Sequence, residues 1–153
     1  MEMPCAHASW QPTRSGGQTT GSMVSRLAAG GARHWVTGTS SPCLSVFKPV
    51  PLGGGRVDTG PAPGRGSDAE SLFWSHERLH RAALHAYEAV RAAVEGERQA
   101  LEARVADAAD ASVAWAEHRD AVRRWATSAE AISKRSGGPF GWYWARQRAL
   151  DGV

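Results

Sequence analysis

An abrupt change of composition near Ser67 constrains this chain more than any other feature. Residues 1–66 hold most of the glycine and proline, whereas residues 67–135 are rich in Ala, Glu and Arg and contain one glycine, Gly96. Glycine and proline disfavour regular helix, so the front reads as strand and loop and the back as long helix. The division is a β segment over 1–51, a Gly/Pro loop over 52–66, two long helices over 67–135 and an aromatic tail over 136–153.

In the front part, Gln18 to Leu27, His34 to Thr39 and Leu44 to Val50 combine Thr, Val and aromatic residues in runs that suit strands. Alternation in the third run sets Leu44, Val46 and Lys48 on one face and Ser45 and Phe47 on the other, with Pro49 and Pro51 ending it. Three such strands carry few large apolar residues, and a sheet that small needs a face to pack on. They read as part of a larger sheet.

Behind the loop, Ser67 followed by Glu70 has the spacing of a capping box, ahead of Leu72, Phe73 and Trp74. A first helix is predicted from Asp68 to about Val94, with a break or kink at Gly96. A second is predicted from Arg98 to Lys134. Leu101, Val105, Ala108, Ser112, Trp115, Val122, Ala126 and Ala129 fall near a seven-residue repeat, interrupted around His118 and Arg119. That stripe suits an antiparallel hairpin within the chain or pairing with a partner helix. Glu77–Arg81, Asp120–Arg124 and Glu130–Lys134 are i,i+4 pairs expected to solvate a face. The tail places Phe140, Trp142, Tyr143 and Trp144 after a glycine turn, either to cap the helices or to dock on a partner.

Charge excludes one class of function. The front 66 residues carry six Lys/Arg against two Asp/Glu and the remaining 87 carry twelve against thirteen, so no basic stripe for nucleic acid is present. No run approaches the roughly 20 apolar residues of a membrane span. Cys5 and Cys43, without an apolar leader ahead of them, point to a reduced, cytoplasmic setting.

His76-Glu77-Arg78-Leu79-His80 spells H-E-x-x-H on a predicted helix, a spacing that puts two imidazoles on one face to hold Zn²⁺ while Glu77 polarises a water. Against it, Arg78 brings a cation beside the metal, and no third ligand stands out among Glu95, Glu97 and Glu102. The plainer reading makes His76, His80 and His85 ordinary polar residues on a charged helix.

Taken together, Cys5 to Ala8, Gln18 to Ser25, Trp35 to Thr39, Ser41-Pro42-Cys43, Ser45 to Pro49 and Leu72 to Arg81 resemble the secernin and cysteine-dipeptidase family of N-terminal nucleophile hydrolases. The resemblance covers roughly residues 5–95 and more loosely the remainder. It implies an α+β fold: a few strands of an αββα sandwich followed by a long helical hairpin. It also implies peptide-bond cleavage by an N-terminal cysteine whose free amine serves as base, with no cofactor. By the same resemblance Cys5 belongs to a strand late in the family's chain. No catalytic residue is therefore assigned within this chain, and its start at Met1 reads as a truncated frame or a split polypeptide.

Two-residue spacing makes Cys5 and His7 candidate pocket-lining residues, or alternatively a core thiol and a surface imidazole. Cys43 reads as a core thiol and Thr19, Thr20 and Ser22 as strand residues. The functions in competition are the C-terminal portion of a secernin-like dipeptidase acting on small peptides once completed, a non-enzymatic helical module that self-associates, and a zinc hydrolase using His76, Glu77 and His80.

Overall fold

The computed structural model describes residues 18–135 together with Arg146 and Ala149. Cys5, His7 and the aromatic group of the tail lie outside the described residues. The chain is α+β: a three-stranded antiparallel sheet in the order β1-β2-β3, followed by three helices.

β1 (Met23–Ala28) and β2 (Gly31–Val36) form a hairpin in the register Met23↔Val36 through Ala28↔Gly31. Ala29 and Gly30 form its two-residue loop, and Gly31 follows at φ 130, a conformation that needs glycine. The first two expected strands are thus one hairpin, shifted from the predicted ranges.

The third expected strand is largely absent. A 3₁₀ turn spans Pro42–Leu44, and β3 is only Lys48–Pro49, paired as Trp35↔Pro49 and Val36↔Lys48. Leu44, Ser45 and Val46 are all buried, as is Lys48, so the expected alternation fails. The reason is positional. This segment is enclosed between the sheet edge and the helices, and its ladder with β2 runs no further than the bond from Val50 N to His34 O at 2.9 Å.

The Gly/Pro loop is mostly exposed, as expected. Ser67 and Glu70 do not form the capping box. α1 (Leu72–Ala83) is capped by Ser71, whose Oγ accepts from Trp74 N at 3.3 Å and donates to Asp68 Oδ2 at 3.0 Å. Asp68 also accepts the backbone N–H groups of Glu70 and Ser71. An ionised carboxylate outcompetes the Ser67 hydroxyl as an acceptor for these N-terminal amides.

Instead of two long helices there are three. α1 gives way at Leu84 to Ala86, with short-range bonds from His85 N to Ala82 O and Ala86 N to Ala83 O, and α2 then runs Tyr87–Val105. Asp110 accepts from Ser112 N at 2.9 Å, just at the start of α3 (Ala111–Arg135). No glycine or proline marks the first break; tertiary packing imposes it. Both α1 and α2 pack chiefly on α3 and hardly on each other. At about 1.5 Å per residue, an unbroken helix from Leu72 to Val105 would be roughly 50 Å long and overrun the roughly 37 Å of α3. Bending the chain back buries Leu72, Leu79, Val90, Val94, Leu101 and Val105 in one core with Ala114, Val122, Trp125 and Ala129. The apolar repeat read from the sequence is consumed in this packing.

Of the three i,i+4 pairs, one forms as expected in partners but not in place. Arg81 Nε reaches Glu77 Oε2 at 3.3 Å, yet both side chains are largely buried. Arg124 instead pairs with Glu97 at 2.6 Å and Glu130 with Arg78 at 3.0 Å, tying helices together. No helix among the described residues is long and apolar enough to cross a membrane.

Gly96, expected to break the helix, sits inside α2, exposed, with nothing within 4 Å of the position its Cβ would take. Gly96→Ala should therefore raise stability by about 0.5–1 kcal/mol, since alanine loses less entropy on entering a helix. Urea unfolding checks this, and a fall in the midpoint would show that the helix does break there.

Candidate functional site

The polar groups that matter lie inside the protein, where the turn after β2, β3, α1 and α3 meet. Thr37, Thr39, Ser40, Ser45, Lys48, Ser75, His76, Glu77, His80 and His118 are all buried. Local geometry begins at Gly38, whose φ of 61 lies in the left-handed region. A Cβ there would stand 2.8 Å from the edge of the Trp115 ring, so glycine lets α3 approach the backbone closely. Ser41 then adopts φ 46 and ψ 64 at the head of the 3₁₀ turn, the left-handed conformation in a buried, non-glycine residue. Such backbone persists only where the surroundings over-determine it. Here Ser41 N donates to Thr19 O at 3.1 Å and Ser41 O accepts from Leu44 N at 2.9 Å.

At the centre stands Lys48. Its Nζ lies 2.6 Å from Thr37 O, 2.8 Å from Val46 O and 3.1 Å from His118 Nδ1, and 4.6 Å from the centroid of the Trp115 ring. An ammonium has three donors, and these three acceptors match them when His118 carries its proton on Nε2. Burial nevertheless pushes Lys48 down from 10.5 to about 7, with Glu102 opposing the shift. Glu102 itself accepts from Phe47 N at 2.9 Å and from Arg98 at 3.4 Å.

Around Lys48 are three buried imidazoles. His76 and His118 face each other at 6.0 Å between ring centroids, edge to face, and His118 lies 6.0 Å from Trp125. Among the described residues, the nitrogens of His80 and Nε2 of His118 have no partner within hydrogen-bond distance, and His76 has only the Leu44 backbone beside it. Burial pushes His76 down to about 3, aided by the positive charges of His80 and Lys48 and opposed by the Leu44 backbone and Glu77. Burial, then Lys48 and His76, hold His118 well below its ordinary value.

Glu77 is the carboxylate of the group. Burial alone would push it up, but the polar groups of His80 and Ser40 and the charges of His80 and Arg81 hold it at about 2. Gln18 Nε2 donates to its Oε1 at 3.2 Å, and His80 Nδ1 lies 3.7 Å from the same oxygen. The group is thus rich in proton acceptors and contains one anion already engaged.

The reading of His76 and His80 as ordinary solvated residues is corrected: α1 turns both inward. Arg78 is drawn to Glu130, and Glu95 and Glu97 bind Arg98 and Arg124, away from the cluster. Among the described residues, no group of three or more His, Cys, Asp and Glu is arranged to hold a metal ion. Cys43 is half-buried beside the core, its Sγ 3.4 Å from Ser41 Oγ. Lys48, His118, Thr37 and Trp115 were not singled out as site residues. The interrupted apolar repeat at His118 was the available signal.

A second feature is a cleft of about 410 Å³ beside the hairpin, lined by residues including Arg33, His34, Trp35, Pro49, Arg56 and Ser112. Arg33 stacks over Trp35 at 5.1 Å and pairs with Asp107, while Trp35 Nε1 donates to Ala106 O at 2.8 Å. These contacts tether β2 to the end of α2 and account for the polar groups there.

Compared with family models, curated proteins and solved structures, the chain finds no match.

Two substitutions test the cluster. Lys48→Met leaves two carbonyls and His118 Nδ1 without their donor, and should lower stability by about 2–4 kcal/mol despite removing a buried charge. Gly38→Ala forces a side chain into both a left-handed backbone and the Trp115 ring, and should lower it by more than about 1 kcal/mol. Chemical denaturation reads both, and a neutral result at Lys48 would mean that its bonds add nothing to the fold.

Proposed function

We propose that this chain acts as the C-terminal portion of a secernin-like cysteine dipeptidase, supplying strands and covering helices to an αββα sandwich whose nucleophile lies on another segment. The observation that carries this reading is the state of β1. Met23, Val24 and Leu27 are 60%, 51% and 78% exposed, on alternating faces of an edge strand whose outer backbone groups pair with no strand among the described residues. A long, bare, apolar edge is a template for further pairing, and isolated domains ordinarily blunt such edges with charge, proline or cover. Arg26 is the only charged residue in the strand. Part of what carries the resemblance also meets in space: segments 35–39 and 45–49 bring Thr37 O and Val46 O to Lys48, and the segment 72–81 supplies the buried His76, Glu77 and His80.

The helical self-association reading has less support, because its apolar stripe is spent inside the chain. Leu101, Val105, Trp115, Val122, Ala126 and Ala129 are all buried. Among the described residues that stripe is therefore not open to a partner helix, and on the resemblance the nucleophile lies elsewhere.

The in-frame sequence upstream of Met1, expressed as a preceding segment with a cysteine exposed at its start, should bind this chain and restore hydrolysis of small peptides. The chain alone should show none. Val24→Lys with Leu27→Lys should change the stability of the isolated chain by less than about 0.5 kcal/mol per site, as surface positions do, yet abolish co-purification with that segment. Absence of any co-purifying segment, or retention of it by the double variant, would sink the proposal.

A further inference from the structure

Among the apolar residues of the α1–α3 contact lies a group of buried bases. His76 comes from α1, His118 from α3 and Lys48 from β3, and all three are fully buried. What faces them can be enumerated. From α1 come His80 and Glu77, the latter already held by Arg81 and Gln18. The 3₁₀ turn presents the Leu44 backbone, α3 adds the neutral Trp115 and Trp125, and α2 acts through Glu102, which is engaged by Phe47 N and Arg98. A proton added to either imidazole thus creates a second cation beside Lys48, in a fully buried site where Glu77 and Glu102 are already engaged and only the Leu44 backbone is left to accept from His76.

We infer that His76, His118 and Lys48 form an acid-sensitive latch, which holds α1 against α3 and β3 while the two imidazoles are neutral and releases α1 when they take up protons. The inference does not rest on the hydrolase reading. α1 is the element set to move, because it joins α2 through the non-helical residues Leu84 to Ala86 and makes little contact with α2, so that its hold on the rest of the chain runs through α3, where His76 meets His118.

The sign follows from linkage. The folded-state values of His76 and His118 lie below the ordinary 6.5, so the released state binds more protons and release is favoured as pH falls through 6.5. Lys48 acts in the same direction, but between pH 10.5 and about 7. Glu77 adds its share only below 4.5, its ordinary value. The window from 6.5 to 4.5 therefore isolates the histidines. Two protons make release steeper by up to about a hundredfold per pH unit.

Hydrogen exchange on the full chain, corrected for intrinsic rates, tests this across that window. The amides of α1 should lose protection steeply while those of Leu101 to Val105 and Val122 to Ala129 keep theirs. His118→Gln, whose side-chain oxygen can still accept from Lys48, should reduce the dependence to about tenfold per pH unit. In the unmutated chain, NMR of the imidazole carbons should show His76 and His118 staying neutral until α1 is released. Three outcomes overturn the latch: α1 protection unchanged by pH, all helices opening together as in ordinary acid unfolding, or either imidazole titrating near 6.5 with α1 still protected.

Discussion

The fold hinges on a lysine placed where a lysine is least expected. Lys48 Nζ joins the carbonyl that follows β2, the carbonyl just before β3 and an imidazole on α3. These three groups come from segments that have little else in common, and the sheet contributes only Leu44 and Val46, from its last turn, to the fully buried apolar core. Without the lysine the sheet would rest on the helices through Arg33, Trp35 and Phe47 contacts at its rim. The cost of taking an ammonium out of water is met only in part by three directed bonds and the face of Trp115, and burial still pushes Lys48 down to about 7. That is a specific arrangement rather than a generous one, and it fixes how the turn, the sheet edge and α3 meet.

Close approach is the second condition for that meeting. Gly38 lets the Trp115 ring reach the backbone, and Ser41 holds a left-handed conformation so that Pro42 to Leu44 can turn inward. Both positions serve the same end: they carry Thr37 O and Val46 O to opposite sides of one nitrogen. The helices answer with His118, whose Nδ1 takes the third bond of Lys48, and with His76, whose ring lies edge to face against it.

Much of the coarse organisation was legible in the sequence, and the failures have physical causes. The composition boundary at Ser67 lies between the last strand and the first helix, because Gly/Pro content acts locally. The helix break was misplaced because Gly96 is a weak breaker when its exposed Cβ position is empty, whereas the real break at Leu84 to Ala86 answers to the length of α3 and leaves no local mark. The alternation expected for Leu44, Val46 and Lys48 gave way to a turn that buries Ser45 as well, and a lysine among apolar residues is silent as to whether it snorkels or stays inside. His76 and His80 carry a recognisable spacing, but spacing on one helix says nothing of the residue facing it, and here that residue is His118, forty-two positions later.

The distribution of polarity in this chain is inverted in two places at once. Met23, Val24 and Leu27 lie in solvent while Lys48, His76, Glu77, His80 and His118 lie inside. Either alone is tolerable, but together they run against both halves of the hydrophobic rule, and natural sequences depart from local consistency mainly where something other than stability is being served. The two departures are also separable. Among the described residues β1 is the sheet edge farthest from the helices, whereas the buried bases lie between α1, α3 and β3 and bear on how the helices are held. A chain that joins a larger sheet by one edge can keep a proton-sensitive interior on the other, since neither arrangement uses the residues of the other.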